Sequence, residues 1–134
     1  MGIQINGTTN TISPSNVSAV NFIAISSSEY INALGNTGGA PNINLSIGIF
    51  VTATLNANAI FTFSNPASQA VAFTLLLTND ATAGRTITWP VSVSWPGGTT
   101  PTRTTTANKS DVYTFFTING GGNWYGNIAQ YNYA

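Results

Sequence analysis

Apolar and polar residues alternate along much of the chain, most clearly between residues 70 and 118. Successive side chains on a β-strand point to opposite faces, so apolar residues of one parity lie on one face. The pattern therefore predicts half-buried strands whose Thr and Ser residues face outward. The apolar residues that share a parity are Val71, Phe73, Leu75 and Leu77 in one segment, Ile87 and Trp89 in the next, and Val91, Val93 and Trp95 in a third.

The same alternation begins at Asn42, where residues 42–55 predict one long strand or two strands joined by a bend near Gly48. A tight hairpin is predicted at residues 119–122, because an Asn-Gly pair suits the positive φ angles of such turns. Seven to nine short strands with no convincing helix after residue 42 are typical of an antiparallel β-sandwich or a jelly-roll-like fold. The other predicted strands cover residues 60–63, 71–78, 85–89, 91–95, 103–107, 111–118 and 124–133, with 103–107 pairing with 111–118.

The first 41 residues contain too little apolar material for a core of their own. Residues 34–41 include three glycines and one proline, a composition typical of a linker. We therefore divide the chain into an N-terminal arm at 1–41 and a β-sandwich domain at 42–134. The arm carries apolar residues that could contact a partner: Ile3, Ile5, Phe22, Ile23 and Ile25.

Charged residues are rare, with three Lys or Arg, three Asp or Glu and a net charge of zero. Nucleic acids and anionic membranes require a basic surface, so the composition argues against both as partners. By contrast, the 20 Thr, 17 Asn and 12 Ser residues provide a neutral polar surface. Because a net charge near zero favours association, we expect a protein that works in an assembly, with a homo-oligomer as the first expectation.

Catalytic chemistry has few candidate residues, since the chain has no His and no Cys. A glycosidase could use two carboxylates, such as Asp80 and Asp111. The alternative is that Asp80 bonds the local backbone of a turn and that Asp111 simply begins a strand. Zinc lacks its usual ligands, and a calcium site near Asp80 would normally contain more acidic residues. We therefore expect no enzyme activity, no metal and no cofactor.

The three tryptophans and the tyrosines near the C-terminus suggest sugar binding, because flat aromatic rings can stack on sugars. Trp89 and Trp95 share the parity of the apolar residues around them, which favours burial in the core. The last strand alternates weakly, so Trp124, Tyr131 and Tyr133 are candidates for an exposed contact surface.

Between residues 61 and 125 the sequence resembles a β-rich module of structural proteins in tailed bacteriophages, often phages of cyanobacteria and other aquatic hosts. The resemblance covers about half of the chain, leaves the first 41 residues outside, and rests on the order of the motifs. The segments that carry it are Phe61-Thr-Phe-Ser-Asn65-Pro66, Phe73-Thr-Leu-Leu-Leu-Thr-Asn-Asp80, Gly84-Arg-Thr-Ile-Thr-Trp89-Pro90, Trp95-Pro-Gly-Gly98, Pro101, Thr106-Ala-Asn108, Asp111-Val-Tyr-Thr-Phe-Phe116 and Trp124-Tyr-Gly126.

The module occurs in tail-fibre, baseplate and capsid-associated proteins, so the resemblance implies a structural protein of the virion and brings no catalytic residues. We expect a cement, decoration or head-fibre protein on the capsid surface that binds the major capsid protein or other virion subunits. The alternative is a tail-fibre or receptor-binding tip protein that recognises host surface glycans.

Overall fold

The structure is a computed structural model that describes residues 28–134. It is all-β, as the sequence predicts, with a mixed multi-stranded sheet and no helix of seven or more residues in the described part. Its ten strands are β1 (Ile31–Asn36), β2 (Asn42–Asn44), β3 (Phe50–Leu55), β4 (Ala59–Ile60), β5 (Thr62–Ser64), β6 (Val71–Asn79), β7 (Ile87–Thr88), β8 (Val93–Ser94), β9 (Ser110–Thr117) and β10 (Trp124–Tyr133), and Pro96–Gly98 forms one 3₁₀ turn.

Six strands form a large sheet in the order β1-β3-β6-β9-β10-β8. The centre of the sheet, β6-β9-β10, is antiparallel, and the predicted turn at residues 119–122 joins β9 to β10. However, β1, β3 and β6 are parallel to one another, and β8 is parallel to β10. The prediction of a wholly antiparallel domain is therefore wrong, although the all-β class is confirmed.

The parallel pairs arise because the chain leaves the large sheet between its strands. It passes through β2 between β1 and β3, and through β4 and β5 between β3 and β6. These excursions form two small parallel sheets, β2 with β5 and β4 with β7. Since each excursion carries the chain back to the end where the previous strand began, the next strand runs in the same direction.

One face of the large sheet forms the core together with side chains from the small sheets. Phe63 of β5 lies at the centre, with ring centroids 5.0–5.4 Å from Phe73, Phe115 and Trp124. Burying a large apolar side chain contributes roughly 1.5–3 kcal/mol, so this aromatic cluster is a main source of stability. The predicted core parity of β6 is confirmed, because Phe73, Leu75 and Leu77 are all buried.

The strand β1 lies in the segment that we predicted to be an arm and linker. It pairs with β3, and its Asn32 is buried and donates a hydrogen bond from Nδ2 to the carbonyl oxygen of Asn44 at 2.9 Å. Residues 31–36 are thus part of the large sheet, which corrects the domain boundary at residue 41. Residues 1–27 lie outside the described part, so an arm there stays a prediction.

Two further predictions differ from the structure. Residues 103–107 form no strand, and β9 pairs with β6 and β10 instead. Val91 was assigned to the core by parity but is fully exposed, because the Val93 amide bonds the Pro90 carbonyl at 3.0 Å and makes residues 90–93 a turn. By contrast, the predicted bend near Gly48 is confirmed, since it separates β2 from β3.

Candidate binding surfaces

The outward side of β3, β6, β9 and residues 124–127 of β10 carries four large exposed apolar or aromatic residues. They are Phe50, Leu76, Phe116 and Tyr125, each between 39% and 48% exposed. The ladder pairings place them among Ala, Thr and Asn residues. We call this surface the outer face and define it by Phe50, Thr52, Thr54, Ala72, Thr74, Leu76, Thr78, Val112, Thr114, Phe116, Tyr125 and Asn127. None of these residues is charged.

Five of the six charged residues lie at one end of the sheet. Asp80 and Arg85 follow the end of β6, and Arg103 and Lys109 precede β9. Asp111 is the second residue of β9. The sixth, Glu29, precedes β1 and is exposed. The outer face is therefore neutral, and the charges form a separate surface that we call the charged end.

At the charged end, a buried amide organises the long loop between β8 and β9. Asn79 donates from Nδ2 to the carbonyl oxygens of Thr104 at 3.1 Å and Thr106 at 2.8 Å. Its side-chain oxygen accepts a hydrogen bond from Arg103, whose Nη1 also donates to the Arg85 carbonyl oxygen at 2.6 Å. These bonds hold residues 103–107 by side-chain contacts instead of a ladder.

Asp111 anchors the same region from inside the fold, where it is only 2% exposed. Its Oδ2 accepts from the Thr104 amide at 2.8 Å, and its Oδ1 accepts from the Asn132 amide at 3.1 Å. Both carboxylate oxygens therefore bond backbone groups. The same environment affects Tyr113, because burial, and then the nearby Asp111 charge, raise the pKa of its hydroxyl.

Asp80 has the local role that the turn composition suggested. Its Oδ1 accepts from the Thr82 amide at 2.9 Å, and its Oδ2 forms an ion pair with Arg85 at 3.3 Å. The bond from Thr82, followed by the Arg85 contacts, holds the pKa of this carboxyl below its usual value. Within residues 28–134 there is no group of three or more His, Cys, Asp or Glu side chains that could hold a metal ion.

A groove of about 510 Å³ lies at one end of the outer face, between β10 and the segment that contains β8. Phe116 and Tyr125 stack along its side with ring centroids 5.0 Å apart. Gly126 lies beneath Trp95, since a Cβ there would come within 2.8 Å of the indole ring. We call this the aromatic groove, and its lining residues are Ser94, Trp95, Pro96, Thr114, Phe116, Tyr125, Gly126 and Asn127.

The predicted contact residues are not brought together at this groove. Trp124 is only 2% exposed and belongs to the core, so its prediction as an exposed contact is wrong. Tyr131 and Tyr133 are 68% and 46% exposed, and Tyr131 lines a different groove with residues 102–106 at the charged end. The remaining candidates, Ile3, Ile5, Phe22, Ile23 and Ile25, lie outside the described residues.

Sequence reasoning missed Phe116 and Tyr125, although a signal was present. Each follows a buried aromatic residue, Phe115 and Trp124 respectively, and so falls on the opposite parity of its strand. An aromatic residue on the outward parity of a strand is a candidate contact residue. The predicted packing of Trp89 and Trp95 against the core agrees with the structure, where both are partly buried.

No protein-family model, no curated protein and no solved structure matches this chain. In addition, the part of the chain that the structure describes contains no helix long and apolar enough to cross a membrane.

Proposed function

We propose that this chain is a non-enzymatic structural protein of a tailed-phage virion, most simply a cement, decoration or head-fibre protein that binds the major capsid protein or other virion subunits and stabilises the shell. The resemblance of residues 61–125 to phage structural modules supports the class of protein. The observation that carries an assembly role is the edge strand β1.

β1 is six residues long and contains no Lys, Arg, Asp, Glu or Pro. Within residues 28–134 it pairs on one side only, with β3. Free monomers usually protect such edges with charges, proline or bulges, because an unprotected edge accepts strands from other chains. β1 has a register shift between Ala33 and Gly35, so the regular part of its edge is residues 31–33. Ile31, the first residue of β1, is 58% exposed, and the preceding Tyr30 is 72% exposed, so both add apolar surface to this edge.

A partner strand added to β1 would gain main-chain hydrogen bonds and apolar contacts together. We propose that the N-terminal arm also contacts neighbouring subunits. Its apolar candidates for this contact are Ile3, Ile5, Phe22, Ile23 and Ile25. Such contacts would join subunits into a homo-oligomer, or onto a shell, and stabilise the assembly by mass action.

We also infer the finer class of the fold, a two-layer β-sandwich in which the two small sheets form the second layer. The contacts of Phe63 with Phe73, Phe115 and Trp124 support this arrangement, because they join β5 to three strands of the large sheet.

The test is to mix the purified protein with phage shells that lack it and to locate added density by electron microscopy. We expect regular density over the icosahedral shell, and loss of that density for Ile31→Lys, which places a charge beside the β1 edge. Ile47→Lys is the matched control, because Ile47 is 49% exposed in a turn outside β1. Bare shells, or equal density with both variants, would contradict the proposal.

A second candidate function is a tail-fibre or receptor-binding tip protein that recognises surface glycans. It is favoured by one specific feature, the exposed aromatic groove at Phe116 and Tyr125. In the shell experiment, density confined to the tail would favour this function over the cement role.

A further inference from the structure

We infer that the aromatic groove binds a neutral saccharide. This inference deepens the second candidate function and rests on it, but it requires no contact with a capsid.

The Tyr125 ring lies on the outward face of β10, beside the groove. In the sheet register, Tyr125 of β10 lies between Phe116 of β9 and Ser94 of β8. Phe116 covers one side of the ring, with an angle of 22° between the two ring planes. The opposite side therefore lies toward Ser94, its partner in β8, and toward Pro96, which also lines the groove. A flat apolar ring face of this kind is suited to the C–H face of a sugar ring.

Polar groups lie beside the Tyr125 and Phe116 rings. In the adjacent ladder pair, Asn127 of β10 lies opposite Thr114 of β9, and both line the groove. Residues two apart on a strand are roughly 6.6 Å apart along it, so the polar pair lies next to the aromatic pair on the same face. Together with Ser94, these residues offer one amide and two hydroxyl groups to the hydroxyls of a ligand.

The lining of the groove carries no charge. None of the eight lining residues is Asp, Glu, Lys, Arg or His. An ionic ligand would lose hydration without gaining a counter-charge, and an aliphatic ligand would cover the amide and hydroxyl groups without bonding them. A neutral saccharide satisfies both the apolar rings and the polar groups.

The side of the groove formed by Trp95 and Gly126 is held in place by the core. A Cβ at Gly126 would lie 2.8 Å from the Trp95 ring and 2.9 Å from both Phe115 and Val93. Trp95 also makes edge contacts with Trp89 and Phe115, each with ring centroids 5.7 Å apart. These contacts lie on the core face of β10, so they fix Trp95 and the backbone at Gly126, which line one side of the groove, whereas Phe116 and Tyr125 lie on the outward face of the same strands.

The test is calorimetric titration of the full chain with maltohexaose, cellohexaose, mannohexaose and xylohexaose, with polygalacturonate as the charged comparison. We expect at least one neutral oligosaccharide to bind and Tyr125→Ala to weaken it by about tenfold or more. Tyr125→Phe keeps the ring and should recover most of the affinity, whereas Asn127→Ala should weaken binding while leaving the ring in place. Tyr30→Ala removes an exposed tyrosine outside the groove and serves as the matched control.

The inference would be overturned by no binding of any neutral oligosaccharide at ~10 mM, by equal binding of polygalacturonate, or by binding that Tyr125→Ala and Asn127→Ala leave unaffected. A change in sedimentation of Tyr125→Ala without saccharide binding would show that the groove holds a second copy, which also overturns it. The cement role is tested separately, because Ile31→Lys alters the β1 edge and should leave saccharide binding unchanged. Shell binding without saccharide binding would therefore refute only the groove inference.

Discussion

At the residue scale, Tyr113 is the clearest case of a side chain whose chemistry the fold alters. It is 1% exposed, and its hydroxyl makes no hydrogen bond within the described residues. Burial disfavours the phenolate and raises its pKa, and the neighbouring Asp111 adds to the effect. The sequence does not predict this pKa shift, because in the alternating pattern Tyr113 is only one apolar position of a strand.

The raised pKa of Tyr113 predicts an alkaline loss of stability. The folded state holds the proton more tightly than the unfolded state, where tyrosine titrates near 10.0. The contribution is therefore complete below about pH 10 and is lost as the pH rises above that value, by up to about 1.4 kcal/mol per pH unit. Urea unfolding between about pH 8 and 11 measures the free energy of unfolding directly.

In that experiment, Tyr113→Phe should flatten the alkaline decline. At pH 8 it should leave the free energy of unfolding unchanged or higher, because it removes a buried hydroxyl that lacks a partner among the described residues. Tyr30→Phe, at a 72% exposed position, is the control and should keep the wild-type slope. An equal slope in wild type and Tyr113→Phe would show that another group causes the loss.

At the element scale, alternation predicts strands well but does not predict their partners. The period of two identified β3, β6 and β9, because each carries one buried parity. It could not show that β3 and β6 are parallel, since the direction of a pair depends on how the chain returns between them. Nor could it predict the loop at residues 103–107, which is held by side-chain bonds to Asn79 and Asp111.

The candidate site shows the same limit. Parity alone separates Phe116 from Phe115 and Tyr125 from Trp124, so the exposed aromatics were predictable once the strand phase was known. The groove that they line together with Ser94 and Pro96 was not predictable, because it depends on the parallel pairing of β8 with β10 across a long sequence separation.

The docking of β1 provides a prediction at this scale. A Cβ at Gly48 would lie 2.3 Å from the Tyr30 carbonyl oxygen, immediately before β1. Gly48→Ala must therefore displace either the bend or the start of β1, and we expect it to lower the free energy of unfolding by about 1–3 kcal/mol. Ile47→Ala changes an exposed neighbour in the same bend and should have little effect. Faster amide exchange in residues 31–36 of Gly48→Ala would locate the damage in β1, and equal stability of the two variants would contradict the prediction.

At the scale of the whole molecule, neutral and charged surfaces are separated. Asp80, Arg85, Arg103, Lys109 and Asp111 lie together at the charged end, whereas the outer face and β1 carry no charge. Salt screens interactions between exposed charges over roughly 10 Å at 0.1 M and has little effect on neutral contacts. The salt dependence of assembly therefore reports which end of the molecule makes the contact.

If the chain joins its neighbours through β1, assembly should be nearly independent of salt. We expect the amount bound to shells to change less than about twofold between roughly 50 and 500 mM sodium chloride, because no ion pair forms in a neutral strand contact. Co-sedimentation with shells across this range measures it, and Ile31→Lys supplies a variant in which the same edge carries a charge. A steep loss of wild-type binding with salt would instead show that charged residues make the contact, and it would contradict a neutral strand contact at β1.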